Sequence, residues 1–122
     1  MKSLKIAVVD CSSFDVLGIL PSIINNCGEF YQVFFFRDYE EVCDKIASEN
    51  FDLLFIQWDN GSAFKTVQIA NRHNVKVVIQ TGGGGMEIKA LQERGKIKFY
   101  QVLAAGQMNM AAIKEICETF SK

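Results

Sequence analysis

A doubly wound α/β sandwich around a five-stranded parallel sheet is the fold class this sequence predicts. Three observations carry it. Strand-like apolar runs and helix-like segments alternate five times along the chain, the pattern of repeated βα units. The runs Lys5–Val9, Leu53–Ile56 and Val75–Ile79 are apolar along nearly their whole length, as central parallel strands covered on both faces must be. The connections are short, and no linker, repeat or low-complexity tract divides the 122 residues, so residues 1–122 are expected to form a single domain.

Each element has its own justification. Lys5-Ile6-Ala7-Val8-Val9 is a β-branched run ending at Asp10, the first strand. Ser12 and Ser13 are good N-cap types and open a helix to about Asn26. Pro21 lies inside it, lacks an N–H and predicts a kink or a fresh turn. Cys27-Gly28 closes the unit, and Tyr31–Phe36 is the second strand. Asp38 then caps a helix from about Tyr39 to Glu49. Its Val42, Ile46 and Ala47 fall at helical spacing, while Glu40, Glu41, Asp44 and Lys45 lie largely off that stripe. Leu53-Leu54-Phe55-Ile56 is the third strand. Past Asp59-Asn60-Gly61-Ser62, a helix from about Ala63 to His73 carries Phe64, Val67, Ile69 and Ala70. Val75–Ile79 is the fourth strand and leads to Thr81 and four glycines. The fourth predicted helix, Met86 to Glu93, is ended by Gly95. Ile97–Leu103 reads as the fifth strand. The last helix runs from about Met108 to Phe120, with Met110, Ile113, Ile116, Cys117 and Phe120 at core-facing spacing. Right-handed crossovers then give a flavodoxin-like (βα)5 three-layer sandwich with strand order 2-1-3-4-5.

Composition excludes several functions. The hydrophobic fraction is 49%, the charged fraction 22% and the formal net charge -1. No global field favours nucleic acid or an anionic membrane, and neither is an expected partner. No apolar run approaches the ~20 residues that span a bilayer. Met1 to Lys5 leads straight into a strand-like run without a cleavage-site pattern. A cytoplasmic protein is expected. Cys11, Cys27, Cys43 and Cys117 form no C-x-x-C pair, and His73 has no nearby cysteine. Zinc spacing is absent, and the thiols read as small core residues of a reducing compartment. There is no G-x-S-x-G elbow. His73 ends a helix on the side away from the expected ligand crevice, so no enzyme is predicted.

Ligands of such sheets bind beyond the carboxyl ends of the strands. Those ends are Asp10-Cys11, Gln57-Trp58-Asp59-Asn60, Thr81 with Gly82 to Gly85, and Val102-Leu103. This constellation resembles the receiver domains of two-component response regulators, over essentially the whole chain. The resemblance implies an acidic pair after strand one and a phospho-accepting aspartate ending strand three. It also implies a Thr or Ser ending strand four, an aromatic within strand five, and a lysine, usually followed by proline, at that strand's end. Asp10 stands at the first acidic position and Cys11 at the second. Phe51-Asp52-Leu53-Leu54-Phe55-Ile56 is similar to the family's third strand, which puts Gln57 at the acceptor. Thr81 matches the hydroxyl. Phe99 matches the aromatic, or Tyr100 if the register slips by one. Val102 falls on the lysine and Leu103 on the proline.

Each departure has a chemical consequence. Phosphoryl transfer needs an oxygen nucleophile, and the Gln57 amide cannot form a stable acyl phosphate. Magnesium prefers hard oxygen ligands including carboxylates. Cys11 and Gln57 remove most of that charge, so no cofactor is expected. Asp10 and Asp59 are at most a weak divalent-cation pair, and Asp59 is explained by turn chemistry alone. Val102 cannot replace a lysine against phosphoryl oxygens. Thr81 and Phe99 are what the resemblance would use for a conformational switch, yet a strand-end hydroxyl and a packed aromatic account for both.

The glycine run, Gly82-Gly83-Gly84-Gly85, sits before a helix and could turn N–H groups toward an anion. It matches neither phosphate-loop pattern and contains no basic residue, so a flexible loop is the simpler reading. Of Phe34-Phe35-Phe36, two side chains must share one sheet face. Lys89, Arg94, Lys96 and Lys98 form a modest basic cluster, read as a solvated face. The expectation is a degenerate receiver, or pseudo-receiver, signalling through protein contacts without phosphorylation. A homodimer would use the fourth predicted helix, the fifth strand and the last helix. The alternative is a small-molecule or nucleotide sensor at the strand ends, using Gly82–Gly85 and Asp10.

Overall fold

Period-two alternation in apolar runs produces strands with two buried faces, and this decides the architecture. The computed structural model describes residues 4–9, 31–36, 38–58, 61–81, 85–104 and 110–120. The strands are β1 (Leu4–Val9), β2 (Tyr31–Phe36), β3 (Leu53–Gln57), β4 (Lys76–Thr81) and β5 (Gln101–Ala104). The described helices are α1 (Tyr39–Ser48), α2 (Ser62–Arg72), α3 (Gly85–Glu93) and α4 (Met110–Phe120). The strands form one sheet in the order β2-β1-β3-β4-β5, and every neighbouring pair is parallel. This is the predicted strand order. The helix expected to about Asn26, with Pro21, lies outside the described residues.

The alternation sorts the core into two layers. Ala7, Val9, Leu54, Ile56, Val77 and Ile79 face one side, against Val42 and Ile46 of α1, Val67 and Ala70 of α2, and Ile88 of α3. Ile6, Val8, Leu53, Phe55, Val78 and Leu103 face the other, against Ile116 and Cys117 of α4. Helices thus cover both faces of one sheet. On the edge strand, Phe34 and Phe36 both meet Phe51, with ring centroids 5.5 and 6.2 Å apart. Phe35 turns to the opposite face, as alternation requires.

Local chemistry sets the helix ends. The Asp38 side chain accepts from the Glu40 N–H at 2.9 Å, capping α1, and Glu40 and Glu41 lie in the first turn, where the dipole favours anions. Both α2 and α3 end in a left-handed residue. Asn74 has φ 59 and Gly95 has φ 74. At the first, Val75 N–H reaches the Ala70 carbonyl and Asn74 N–H that of Asn71; at the second, Lys96 reaches Leu91 and Gly95 reaches Gln92. These are paired Schellman closures.

Strand five departs from expectation. It starts at Gln101 rather than Ile97. The cause is competition for the backbone. Asn71 Nδ2 donates to the Lys98 carbonyl and its Oδ1 accepts from the Lys98 N–H, both at 2.9 Å. Gln92 Nε2 donates to the Phe99 carbonyl at 3.2 Å. The connection to β4 begins only at Tyr100, whose N–H meets the Val77 carbonyl at 2.7 Å. Asn71→Ala is therefore expected to cost about 1–2 kcal/mol, from two modest hydrogen bonds. A urea midpoint measures it, and amide exchange should quicken at Lys98 in particular.

The amino ends of β1 and β3 are tied by charge. Lys5 N–H donates to Asp52 Oδ2 at 2.9 Å, and the Lys5 ammonium bonds the Glu49 carboxylate. That hydrogen bond, then the lysine's charge, lowers the Glu49 pKa from its ordinary value. A lowered folded-state pKa contributes stability above the unfolded value and loses it as pH falls through the folded one. A small stability loss is expected as pH drops from the ordinary glutamate range, near about 4.3, downward. Urea midpoints across that range should show it, and Lys5→Met should flatten the slope.

Candidate functional site

Three strand ends meet where the sheet order switches. Val9 closes β1 level with Ile56. Gln57 closes β3 and is paired in register with Gln80. Thr81 closes β4 opposite Ala104, the last residue of β5. Asp10, Cys11 and Asp59, three of the predicted site residues, lie outside the described residues, as do Gly82 to Gly84. Gly85 opens α3.

Gln57 is half-buried. Its backbone is held from two sides. The Tyr39 hydroxyl, at the start of α1, donates to the Gln57 carbonyl at 2.6 Å. The next N–H, of Trp58, donates to the Gln80 carbonyl at 2.8 Å. Alternation puts Gln57 and Gln80 on the face shared by Phe55 and Val78. Thr81, one residue on, is buried at the end of β4.

Two polar atoms beside Gln57 stand out. Trp58 Nε1 and Gln80 Oε1 are buried without a hydrogen-bond partner. One is a donor and the other an acceptor. Sequence reading passed over both. The signal was present for Gln80, a glutamine directly following the apolar run Val77-Val78-Ile79. Tyr39 was missed because an aromatic at a helix start carries no local mark of a contact with a strand end.

Strand five places its residues differently from the sequence reading. Val102 pairs with Ile79, two residues short of the strand's end, and the residue level with Thr81 is Ala104. Phe99 precedes β5 and is half-buried against the α1–α2 layer of the core. Tyr100 also precedes the strand and is 48% exposed. Neither Val102 nor Ala104 carries charge, and no Lys or Arg occurs between Lys98 and Lys114. A cationic partner for a phosphoryl group is missing from this stretch in either register.

Of the groups that the receiver resemblance would offer to magnesium, Asp10 and Asp59 lie outside the described residues. The described groups at the strand ends are the amides of Gln57 and Gln80 and the hydroxyl of Thr81, all neutral. Magnesium binding rests on one or two carboxylates. Among the described residues, no group of three His, Cys, Asp or Glu could hold a metal. Cys43 Sγ lies 3.4 Å from Thr66 Oγ1, and Cys117 is a buried thiol of α4 outside any disulfide. Cys11 and Cys27 lie outside the described residues.

No family model matches the chain, and no curated protein matches it in sequence. Solved structures do. A CheY-like response regulator receiver domain from Methanospirillum hungatei is similar with TM-score 0.77 at 18% identity, over 98% of this chain and 94% of that one. An orphan response regulator of H. pylori gives TM-score 0.77 at 16% identity, covering 98% of each chain. A Francisella response regulator receiver domain gives 0.75 at 15%, over 98% of this chain and 97% of that one. The class is thus defined by architecture: this chain has the flavodoxin-like α/β fold of response-regulator receiver domains. No helix among the described residues is long and apolar enough to cross a membrane.

Proposed function

We propose that the chain is a cytoplasmic, single-domain receiver-type signalling module that works without phosphoryl transfer, through protein–protein contacts rather than catalysis. The observation carrying this is Gln57, a half-buried amide closing the central strand β3. An amide there offers no carboxylate nucleophile. The missing cation along residues 99–113 agrees with it.

The contact face we favour is α3, β5 and α4, used for a second copy or a signalling partner. Met86 on α3 is 87% exposed, and Tyr100 beside β5 is 48% exposed. Exposed large apolar side chains of this kind suit an interface. Intact-mass measurement after acetyl phosphate and magnesium treatment tests the central claim. No added phosphoryl group is expected. Stoichiometric phosphorylation, abolished by Asp59→Ala, would overturn the reading.

A second reading has its own support. Gln80 Oε1, a buried acceptor without a partner on the Phe55–Val78 face, suits a small polar donor at the strand ends. The sensor alternative based on Gly82–Gly85 and Asp10 would use the same end of the sheet. A thermal-shift screen with nucleotides and phosphorylated metabolites separates the two. A ligand at 100 times its dissociation constant should stabilise by about 2.7 kcal/mol.

A further inference from the structure

A second feature lies at the opposite, amino end of the strands. There β4 and the segment before β5 do not pair. Asn71 occupies both backbone polar groups of Lys98, and the first link to β4 comes at Tyr100. The splay opens a cavity of about 410 Å³, lined in part by Asn71, Asn74, Lys76, Lys98, Tyr100 and Phe120. That volume falls within the range of small-molecule sites.

The lining has a definite chemistry. Its two charged side chains, Lys76 and Lys98, have no carboxylate partner among the described residues; the ion pairs there are Lys5–Glu49 and Lys114–Glu118. Both lysines line the same cavity, on a chain whose formal net charge is -1. Tyr100 and Phe120 stack edge to face, with centroids 4.8 Å apart and planes at 73°. They form an aromatic wall with Phe99 close by in the same lining. Asn74, set in the left-handed region by the closure of α2, adds an amide at the rim.

We infer that this cavity binds a small aromatic anion. Its ring lies against the Tyr100–Phe120 wall, and its anionic group meets Lys76 and Lys98. Aromatic rings favour offset or edge-to-face contact with other rings. An anionic group adds attraction to the two lysines that a neutral ring lacks, and a ring adds contact with the aromatic wall that a non-aromatic anion lacks. Asn71 fixes the backbone from which the Lys98 side chain extends. The site is separate from Gln57, so it stands or falls independently of the receiver reading.

Backbone amide NMR on the whole chain tests it, with benzoate, phenyl phosphate and benzamide as probes. Saturable shifts at Asn71, Lys98 and Tyr100 are expected with an anion and not with benzamide. The benzoate and phosphate arms distinguish a carboxylate from a phosphate ligand. Lys76→Met and Lys98→Met should each weaken binding about two- to fivefold, the scale of an exposed ion pair. Both positions are exposed, so folding is preserved and is checked by the urea midpoint. Equal binding of benzamide, no saturable shift with either anion, or unchanged affinity in both lysine variants would overturn the inference.

Discussion

Replacing Phe55 with alanine is expected to cost about 3–5 kcal/mol. Phe55 is fully buried at the centre of the sheet. It sits in register between Val8 of β1 and Val78 of β4. Its ring belongs to the layer closed by Ile116 and Cys117 of α4. Strands on both sides fix the backbone, so the hole left by the ring cannot collapse easily, and the cavity adds to the lost transfer energy. Total stability of a domain is only about 5–15 kcal/mol. The variant should therefore lose a fifth or more of it. Chemical denaturation should show a lower midpoint at unchanged slope, since the surface exposed on unfolding is nearly the same. A loss below about 1 kcal/mol would mean that the central layer is looser than its burial implies.

Phe55 also shows why the fold was legible. Its strand is apolar at every position from Leu53 to Ile56, and only a strand covered on both faces tolerates that. Ile6–Val9 of β1 and Val77–Ile79 of β4 are apolar throughout in the same way, and the strand order was expected from these central runs with crossover handedness. Strand five was harder. Its apolar and aromatic pattern from Ile97 to Leu103 is strand-like, but residues 96–99 are not free to pair. Asn71, 27 positions earlier than Lys98, takes both backbone groups of Lys98, while Gln68 and Gln92 take the Lys96 and Phe99 carbonyls. No local pattern carries a competitor that distant.

The site was legible to a different degree. Gln57 could be found because a strand end is marked by the change from Ile56 to polar residues. Val102 was matched to the lysine position by the family resemblance, and the sheet pairs it with Ile79, two residues before the end of β5. The pairing of Thr81 with Ala104 shows that the level of a residue in a sheet depends on register with its neighbour. Register is a tertiary property and sequence spacing gives it only when the strand's bounds are right. Because neither Val102 nor Ala104 is charged, the chemical inference does not depend on which is level with Thr81.

Gln80→Met is expected to stabilise the protein by about 1–2 kcal/mol, the scale of an unmet desolvation cost. Gln80 is 7% exposed, and its Oε1 is buried without a partner. Folding strips water from that oxygen and supplies no donor in return. Methionine keeps the unbranched length and removes the polar end. At this chain length the gain should appear as a rise of about 3–5 °C in Tm per kcal/mol. Gln101→Met is the control, since Gln101 lies exposed on β5 and surface exchanges stay within about 0.5 kcal/mol. The result bears on function. Proteins sit near a stability threshold, and a costly buried group persists where activity uses it. Stabilisation together with lost partner or ligand binding would assign Gln80 to the working end of the sheet, beside Gln57. Stabilisation with binding intact would leave Gln57 and the α3–β5–α4 face as the working parts, and destabilisation would mean the Gln80 amide is satisfied in solution.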